Sequence, residues 1–279
     1  MRRVRVRLPA AVTDLGPGLN SLGLALSLYT TVEITERADD ALHVETAGEG
    51  AGLYSVGLRH PVVRALIRMF QQAESATAGL NIRIDNQIPH QSGLGAETAL
   101  LVAGVIAANN LIGKPFPRKQ VWDFAAQIGG HSGQVMTALL GGLTTTTRIA
   151  DELIYRSLPV TGLRAVVVLP ELDTYADEVR GVVPERVLLS DALTTLSHLP
   201  LLIEALRTGD LTLLGQTLTD PLIVPFRTPY IPGYDAVITA AQSAGASGVT
   251  LVGAGPTLIA FSAEDHHKLA AAMKSAFTD

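Results

Sequence analysis

Apolar and polar residues alternate from the first positions of the chain. Val4, Val6 and Leu8 are interleaved with Arg3, Arg5 and Arg7, following Arg2, which predicts a strand with one exposed cationic face. Residues 31–35 and 81–84 cluster β-forming residues in the same way and predict two further strands. The period then changes. Residues 61–74 place Val62, Val63, Leu66, Ile67 and Phe70 at helical spacing. Residues 98–111 are rich in Ala, Leu and Val without proline, which predicts a buried helix ending before Gly113 and Pro115. A helix over 118–128 closes at Gly129 and Gly130, and the threonine-rich 141–147 reads as a strand.

A more polar stretch, 148–161, precedes Gly162 and marks the expected boundary between two domains, 1–155 and 156–279. Beyond it, 163–169 reads as a strand and 185–207 as mostly helix. A helix over 234–245 leads to strands at 248–252 and 258–261 around a glycine turn, and a helix over 265–277 ends the pattern. Two α+β halves without an internal repeat are the expected architecture.

Composition narrows this picture. At ~150 residues per domain, 279 residues suit two domains, with enough chain for a sizeable core. The 47% hydrophobic and 17% charged residues exclude a disordered chain. A formal charge of −5 supplies no general attraction for nucleic acid, so the arginines at the start read as one face of a strand rather than a phosphate-binding arm. There are no cysteines, which excludes disulfides, thiolate chemistry and cysteine zinc sites. No run of ~18 apolar residues and no signal-peptide core is present, so no membrane partner is expected and the cytoplasm is the expected location. Trp122 reads as a core residue of its helix, and His266 and His267 as a solvated helix face.

Three stretches could carry chemistry. Residues 9–23 hold glycines and a proline between strand-like segments, where backbone can approach a ligand closely or simply turn. Residues 89–99, Pro-His-Gln-Ser-Gly-Leu-Gly-Ala-Glu-Thr-Ala, place a glycine loop between a strand and a long helix. That arrangement points free amides and a positive helix end at an anion, although Gly-X-Gly is also an ordinary loop. Residues 253–257, Gly-Ala-Gly-Pro-Thr, taken singly read as a hairpin turn.

Taken together and in order, the three resemble the signature of the GHMP kinases, over nearly the whole chain. Residues 9–20 keep the Pro, Ala and Leu-Gly-Pro-Gly of the homoserine kinases' Pro-Ala-Thr-Ser-Ala-Asn-Leu-Gly-Pro-Gly-Phe-Asp. Gly130-His131, the Val-Arg-Gly-Val-Val-Pro at 179–184 and the Pro-Phe-Arg-Thr-Pro-Tyr-Ile-Pro-Gly at 225–233 resemble further segments of that family. The resemblance implies the two-domain GHMP fold: an N-terminal α+β domain with the phosphate loop and a C-terminal ferredoxin-like domain. It also implies ATP with Mg2+ at Pro89, Ser92, Gly93, Leu94, Gly95, Ala96 and Thr98. A small carboxylate-bearing substrate would meet Asp14, Asn20, His131, Gln134, Gly253 and Gly255. Arg180 and Arg227 would hold its carboxylate, as guanidinium forks pair with carboxylates. Homodimerisation is a common property of the same enzymes.

The chain departs from the family pattern where phosphate and metal are handled. Gly-Leu-Gly-Ser-Ser-Ala-Ala becomes Gly93-Leu-Gly-Ala-Glu-Thr-Ala, which removes two serines and leaves Thr98 as the nearest hydroxyl. The glutamate before Gly-His, a magnesium ligand in the family, is Gly129, and the Pro-Asp-Asn after the histidine is Ser132-Gly133-Gln134. The first-loop Asn is Asp14, and the Asp facing the substrate's amino group is Asn20. Glu97 therefore reads either as a helix-start carboxylate or as a metal ligand replacing the lost glutamate, with Glu97 and Thr98 as the candidate catalytic pair. Three activities follow from the resemblance. The first is an ATP-dependent kinase acting on the hydroxyl of a small amino or hydroxy acid, homoserine first. The second is a catalytically weak or silent ligand-binding relative. The third is a phosphoribosyl pyrophosphate-using synthase on the same fold, because the loop also resembles Gly-Leu-Gly-Ser-Gly-Thr-Gln-Leu.

Overall fold

A computed structural model describes residues 2–19, 21–54, 57–75, 79–172, 179 and 181–278. The candidate residues Asn20 and Arg180 lie outside them. The fold divides into two compact units, residues 1–12 with 24–157 and residues 13–23 with 158–279.

The first unit is built on a mixed sheet. Strands β1 (Arg3–Thr13), β2 (Leu22–Glu36), β3 (Leu42–Gly48), β4 (Leu80–Asn86), β5 (Leu143–Ile149) and β6 (Glu152–Leu158) form it in the order β3-β4-β2-β5-β6, with β1 also on β2. In the antiparallel pair β2 and β4, Val32 stands opposite Ile84 and Ile34 opposite Ile82, and all four side chains are buried. Period-two alternation explains this, since one face of each strand meets the core. The arginines of β1 behave as expected. Arg3, Arg5 and Arg7 are exposed while Val6 and Leu8 are buried. Arg3 pairs with Glu33 at 2.6 Å, and the Arg7 guanidinium lies 3.6 Å from the centre of the Tyr29 ring.

Helices α1 (Pro61–Gln72), α2 (Ala96–Leu111), α3 (Arg118–Gly129) and α4 (Ser132–Leu140) complete the unit. Helix α1 begins with proline at its first position, and the His60 Nδ1 accepts from the Val62 amide at 3.3 Å. Its apolar stripe, Val62, Ala65, Leu66 and Met69, is buried. Helix α2 is buried on almost every side, as its alanine- and leucine-rich composition predicts. The two helices touch at Gly104, where a Cβ would stand 2.7 Å from the Val62 carbonyl oxygen. Only glycine permits that approach.

In the second unit, β7 (Ala165–Val168), β8 (Gly248–Leu251) and β9 (Leu258–Phe261) form an antiparallel sheet in the order β7-β9-β8. The central strand, Leu-Ile-Ala-Phe, is buried throughout. Helices α5 (Leu189–Thr208), α6 (Leu211–Thr217), a single turn α7 (Val224–Arg227), α8 (Tyr234–Ser243) and α9 (His266–Thr278) surround it. Val237 and Ala241 of α8 join Leu269 and Met273 of α9 over the sheet. That is the apolar face read from the helical period.

The elements differ from the sequence expectations at several places. Residues 9–13 continue β1 and so shorten the first loop to 14–21, because Ala10, Ala11 and Val12 are buried in the core. The polar stretch 148–161 contains strand β6, whose exposed Glu152 and Arg156 mask its pattern. Strand β3 and helix α4 have no counterpart among the expected elements. The first is a sheet edge without buried residues, and the second is only nine residues long and begins Ser-Gly-Gln. Helix α5 starts at Leu189 rather than 185, after an exposed stretch that follows Pro184. Trp122 is not a core residue: it is half-buried, with its ring edge-on to Tyr155 at 5.4 Å. His266 is partly held, its Nε2 3.1 Å from the Ser262 carbonyl, whereas His267 is exposed.

Between α6 and α7, the buried Asp220 accepts from the amides of Leu222 at 2.8 Å and Ile223 at 3.2 Å. Burial pushes its pKa above the ordinary carboxylate value, against those two bonds and the attraction of Arg227. The group is therefore easier to protonate in the fold than in the unfolded chain. Its contribution is most favourable below the unfolded value of ~3.9 and is lost as pH rises through the higher folded value. Asp220→Asn keeps an acceptor for both amides and removes the charge. Urea unfolding from pH 4 to 7 should show the variant losing this part of the pH dependence, with its largest relative gain at pH 7. An unchanged pH slope would contradict the assignment.

Candidate functional site

The site in the first unit is the junction of β4, α2 and α4. The chain leaves β4 at Asn86, and the buried Ser92 hydroxyl donates to the Pro89 carbonyl at 2.7 Å while accepting from the Leu94 amide at 3.2 Å. The fully buried Leu94 anchors the loop, and its carbonyl accepts from the Ala11 amide of β1 at 2.9 Å. Gly93 and Gly95 both have positive φ, 74° and 83°, so the tight turn requires residues without a Cβ. Gly95 is the N-cap of α2 and offers no side-chain cap. The first-turn amides of Ala96, Glu97 and Thr98 thus have no partner within the helix, and the positive end of a sixteen-residue helix opens on the loop.

Gln134 of α4 ties the junction together. Its Nε2 donates to the Ala11 carbonyl at 3.1 Å and the Gly93 carbonyl at 3.2 Å, and its Oε1 accepts from the Thr98 hydroxyl at 2.6 Å. One side chain therefore joins β1, the loop, α2 and α4. The sequence comparison placed Gln134 and Thr98 on opposite sides of the reaction, substrate and phosphate; the structure brings them together.

A pocket of about 280 Å³ lies over this junction, lined by Arg64, His90, Gln91, Glu97, His131 and the loop. A larger cavity of about 520 Å³ opens by the C-terminal end of α1. Its Lys119 is taken by Asp123 at 3.0 Å and Glu152 at 3.7 Å.

The sequence offered no sign of Arg64. Its Nη2 stands 2.9 Å from the Glu97 Oε1. It falls in a helix read only for its apolar stripe, 33 positions before its partner. Close by, the Tyr54 hydroxyl bonds to the His90 Nδ1 at 3.0 Å, and burial, reinforced by Glu97, pushes the phenol up to about 12. Burial lowers the pKa of His60, whose Nε2 has no partner among the described residues.

The side chains around the loop offer a divalent cation few oxygens. Ser92 donates to Pro89 and accepts from Leu94, Thr98 gives its proton to Gln134 and keeps its lone pairs, the half-exposed Glu97 is paired with Arg64, and Ala96 supplies no oxygen. Gly129 lines the pocket but supplies no side chain, and a Cβ there would press on the Val135 Cγ2 at 2.9 Å. No group of three His, Cys, Asp or Glu able to hold a metal occurs among the described residues. A three-residue set of that kind for Mg2+ is therefore lacking here among the described residues, and Glu97 and Thr98 are the oxygens that line the pocket beside the loop.

In the second unit, the glycine turn at 253–257 is a hairpin, with β8 and β9 paired and the Val252 amide donating to Thr257 at 2.9 Å. It is also more than a turn. The Gly253 amide donates to the Thr13 carbonyl at 2.9 Å, and the Arg227 Nη1 donates to the Gly253 carbonyl at 2.7 Å. This brings together the first loop, the hairpin and an arginine that are far apart in sequence. Gly255 is buried in the turn, and Asp14 has φ 57°. The Arg227 Nε is buried and has no partner among the described residues.

Known proteins confirm the fold and identify the family. The family model described as the GHMP kinases N terminal domain matches residues 60–142, and that of the GHMP kinases C terminal matches 202–279. A homoserine kinase of Moorella thermoacetica is 37% identical over 98% of this chain and 92% of its own length. Another, from Microchaete diplosiphon, is 35% identical over 98% and 90%. The crystal structure of homoserine kinase from Cytophaga hutchinsonii superposes with a TM-score of 0.85 at 28% identity, covering 100% of this chain and 91% of that one. The phosphate-loop junction, the two-unit α+β fold and this full-length similarity lead to one conclusion: the chain belongs to the GHMP kinase family, among chains similar to homoserine kinases.

Proposed function

We propose that the chain transfers the γ-phosphoryl group of ATP to the side-chain hydroxyl of homoserine or a closely related small acid. The glycine loop opening on the uncapped start of α2 carries this reading, on a chain similar to homoserine kinases along nearly its whole length. Free amides and a helix dipole suit an anion, and phosphoryl transfer depends mainly on positioning and charge neutralisation. In this reading residues 1–155 hold the nucleotide through Gly93, Leu94, Gly95, Ala96 and Thr98. Arg227 and Arg180 hold the acceptor's carboxylate, with Asp14, Asn20, Gly253 and Gly255 around it. The reading extends to a homodimer in the cytoplasm.

Purified chain mixed with ATP, magnesium and homoserine should form ADP and an O-phosphorylated amino acid in equal amounts, read by a coupled assay and phosphorus NMR. The pairing of Glu97 with Arg64 and the missing side chain at Gly129 favour a second reading, a ligand-binding relative with little turnover. Nucleotide binding without ADP formation would select it. Binding of phosphoribosyl pyrophosphate but not of ATP would select the synthase.

A further inference from the structure

Among the side chains that line the pocket over the glycine loop is one guanidinium, beside His90 and His131. Arg64 lines the pocket together with the start of α2, and the contact of α1 and α2 at Gly104 holds it there. Its partner, Glu97, occupies the second position of α2, beside the amides that would receive a phosphate. The pair makes a single bond between side chains that are 38% and 54% exposed. A pair of that kind contributes little, because water screens it and two long side chains must be ordered. A phosphate offers the same guanidinium two parallel charge-assisted bonds, which are shorter and stronger. Exchanging one partner for the other is therefore favourable, and it releases an already exposed carboxylate to solvent.

We propose that Arg64, in place of a cation held by side chains, neutralises the phosphate chain of the bound nucleotide, and that Glu97 holds Arg64 until a phosphate displaces it. Glu97 is then an internal stand-in for phosphate rather than a metal ligand. The inference rests on the nucleotide-binding reading only for the identity of the ligand.

Calorimetric titration of the full chain with inorganic pyrophosphate and with ADP tests it, in EDTA and in magnesium. The wild type should bind pyrophosphate in EDTA with an affinity within about threefold of that in magnesium. Glu97→Gln should tighten binding in EDTA by roughly two- to fivefold, the size of effect expected from freeing one exposed pair. Arg64→Gln should weaken it more than about tenfold, with Arg64→Lys in between, since an ammonium keeps the charge but loses the fork. Thermal unfolding of each variant shows whether the fold is intact.

Three outcomes would overturn the proposal: magnesium improving wild-type binding more than about tenfold with Glu97→Gln abolishing the gain, Arg64→Gln binding as the wild type does, or no binding of either ligand by the wild type. Turnover is measured separately. Arg64-dependent binding without turnover would reject the kinase reading alone, and magnesium-dependent turnover untouched by Arg64→Gln would reject the inference alone.

Discussion

Gln134→Leu should weaken ADP binding about a hundredfold while leaving most of the fold intact. The substitution nearly conserves volume but removes all three bonds at the junction: to the Ala11 carbonyl, the Gly93 carbonyl and the Thr98 hydroxyl. A buried polar group left without its partner costs about 1–3 kcal/mol. The loop can recover part of this by moving toward water, so about 2–3 kcal/mol remains, a factor of roughly 30–150 in affinity. The loss falls on binding more than on stability because the moving loop is what presents the amides of α2. Titration with ADP and thermal unfolding of the same samples separate the two. Binding within threefold of wild type would show that the glycines alone hold the loop. Gln134→Glu is a useful companion: it keeps the acceptor for Thr98, loses both donors and adds a charge next to the phosphate site, and it should bind ADP more weakly still.

The largest expected effect on stability belongs to Phe261→Ala, about 3–5 kcal/mol. Phe261 is fully buried at the end of the central strand β9, opposite Ala165 of β7 and Gly248 of β8. Residues directly opposite across a sheet share a face, so the two positions nearest the lost ring carry a methyl group and a hydrogen. Neither can fill the space, and the cost should lie toward the upper end of that range. Phe261→Leu, which leaves most of the volume, should cost less than half as much. Urea unfolding of the two variants checks the ratio, and an equal loss from both would mean that the site collapses around the smaller residue. Function should suffer with stability, since β9 starts directly after the turn that holds Thr13 and Arg227.

Most elements of the fold could be read locally because they bury one clean face. Helix α1 and strands β2 and β4 recur or alternate with the right period, while the strands of the second sheet are short apolar runs. The elements that escaped have weak periods for identifiable reasons: β3 lies at a sheet edge with no buried side chain, and α4 is short and opens with Ser-Gly-Gln. Trp122 stands in an apolar register, but its neighbours in space are Tyr155 and Arg118, which leave its ring half exposed.

The candidate site divides along the same line. By itself the sequence determined the family resemblance, the glycine loop before a buried helix and the loss of the serines and the glutamate, because motifs and periods are properties of neighbouring residues. Only the tertiary structure decided what those changes mean. It set Glu97 against Arg64 across two helices that meet at Gly104, and made Gln134 the brace of the loop. Each of these contacts joins residues from different elements, and the side chains alone carry no record of which element will pack beside them. The glycine loop is thus legible as a motif, while the Arg64–Glu97 pair beside it follows from how α1 lies on α2.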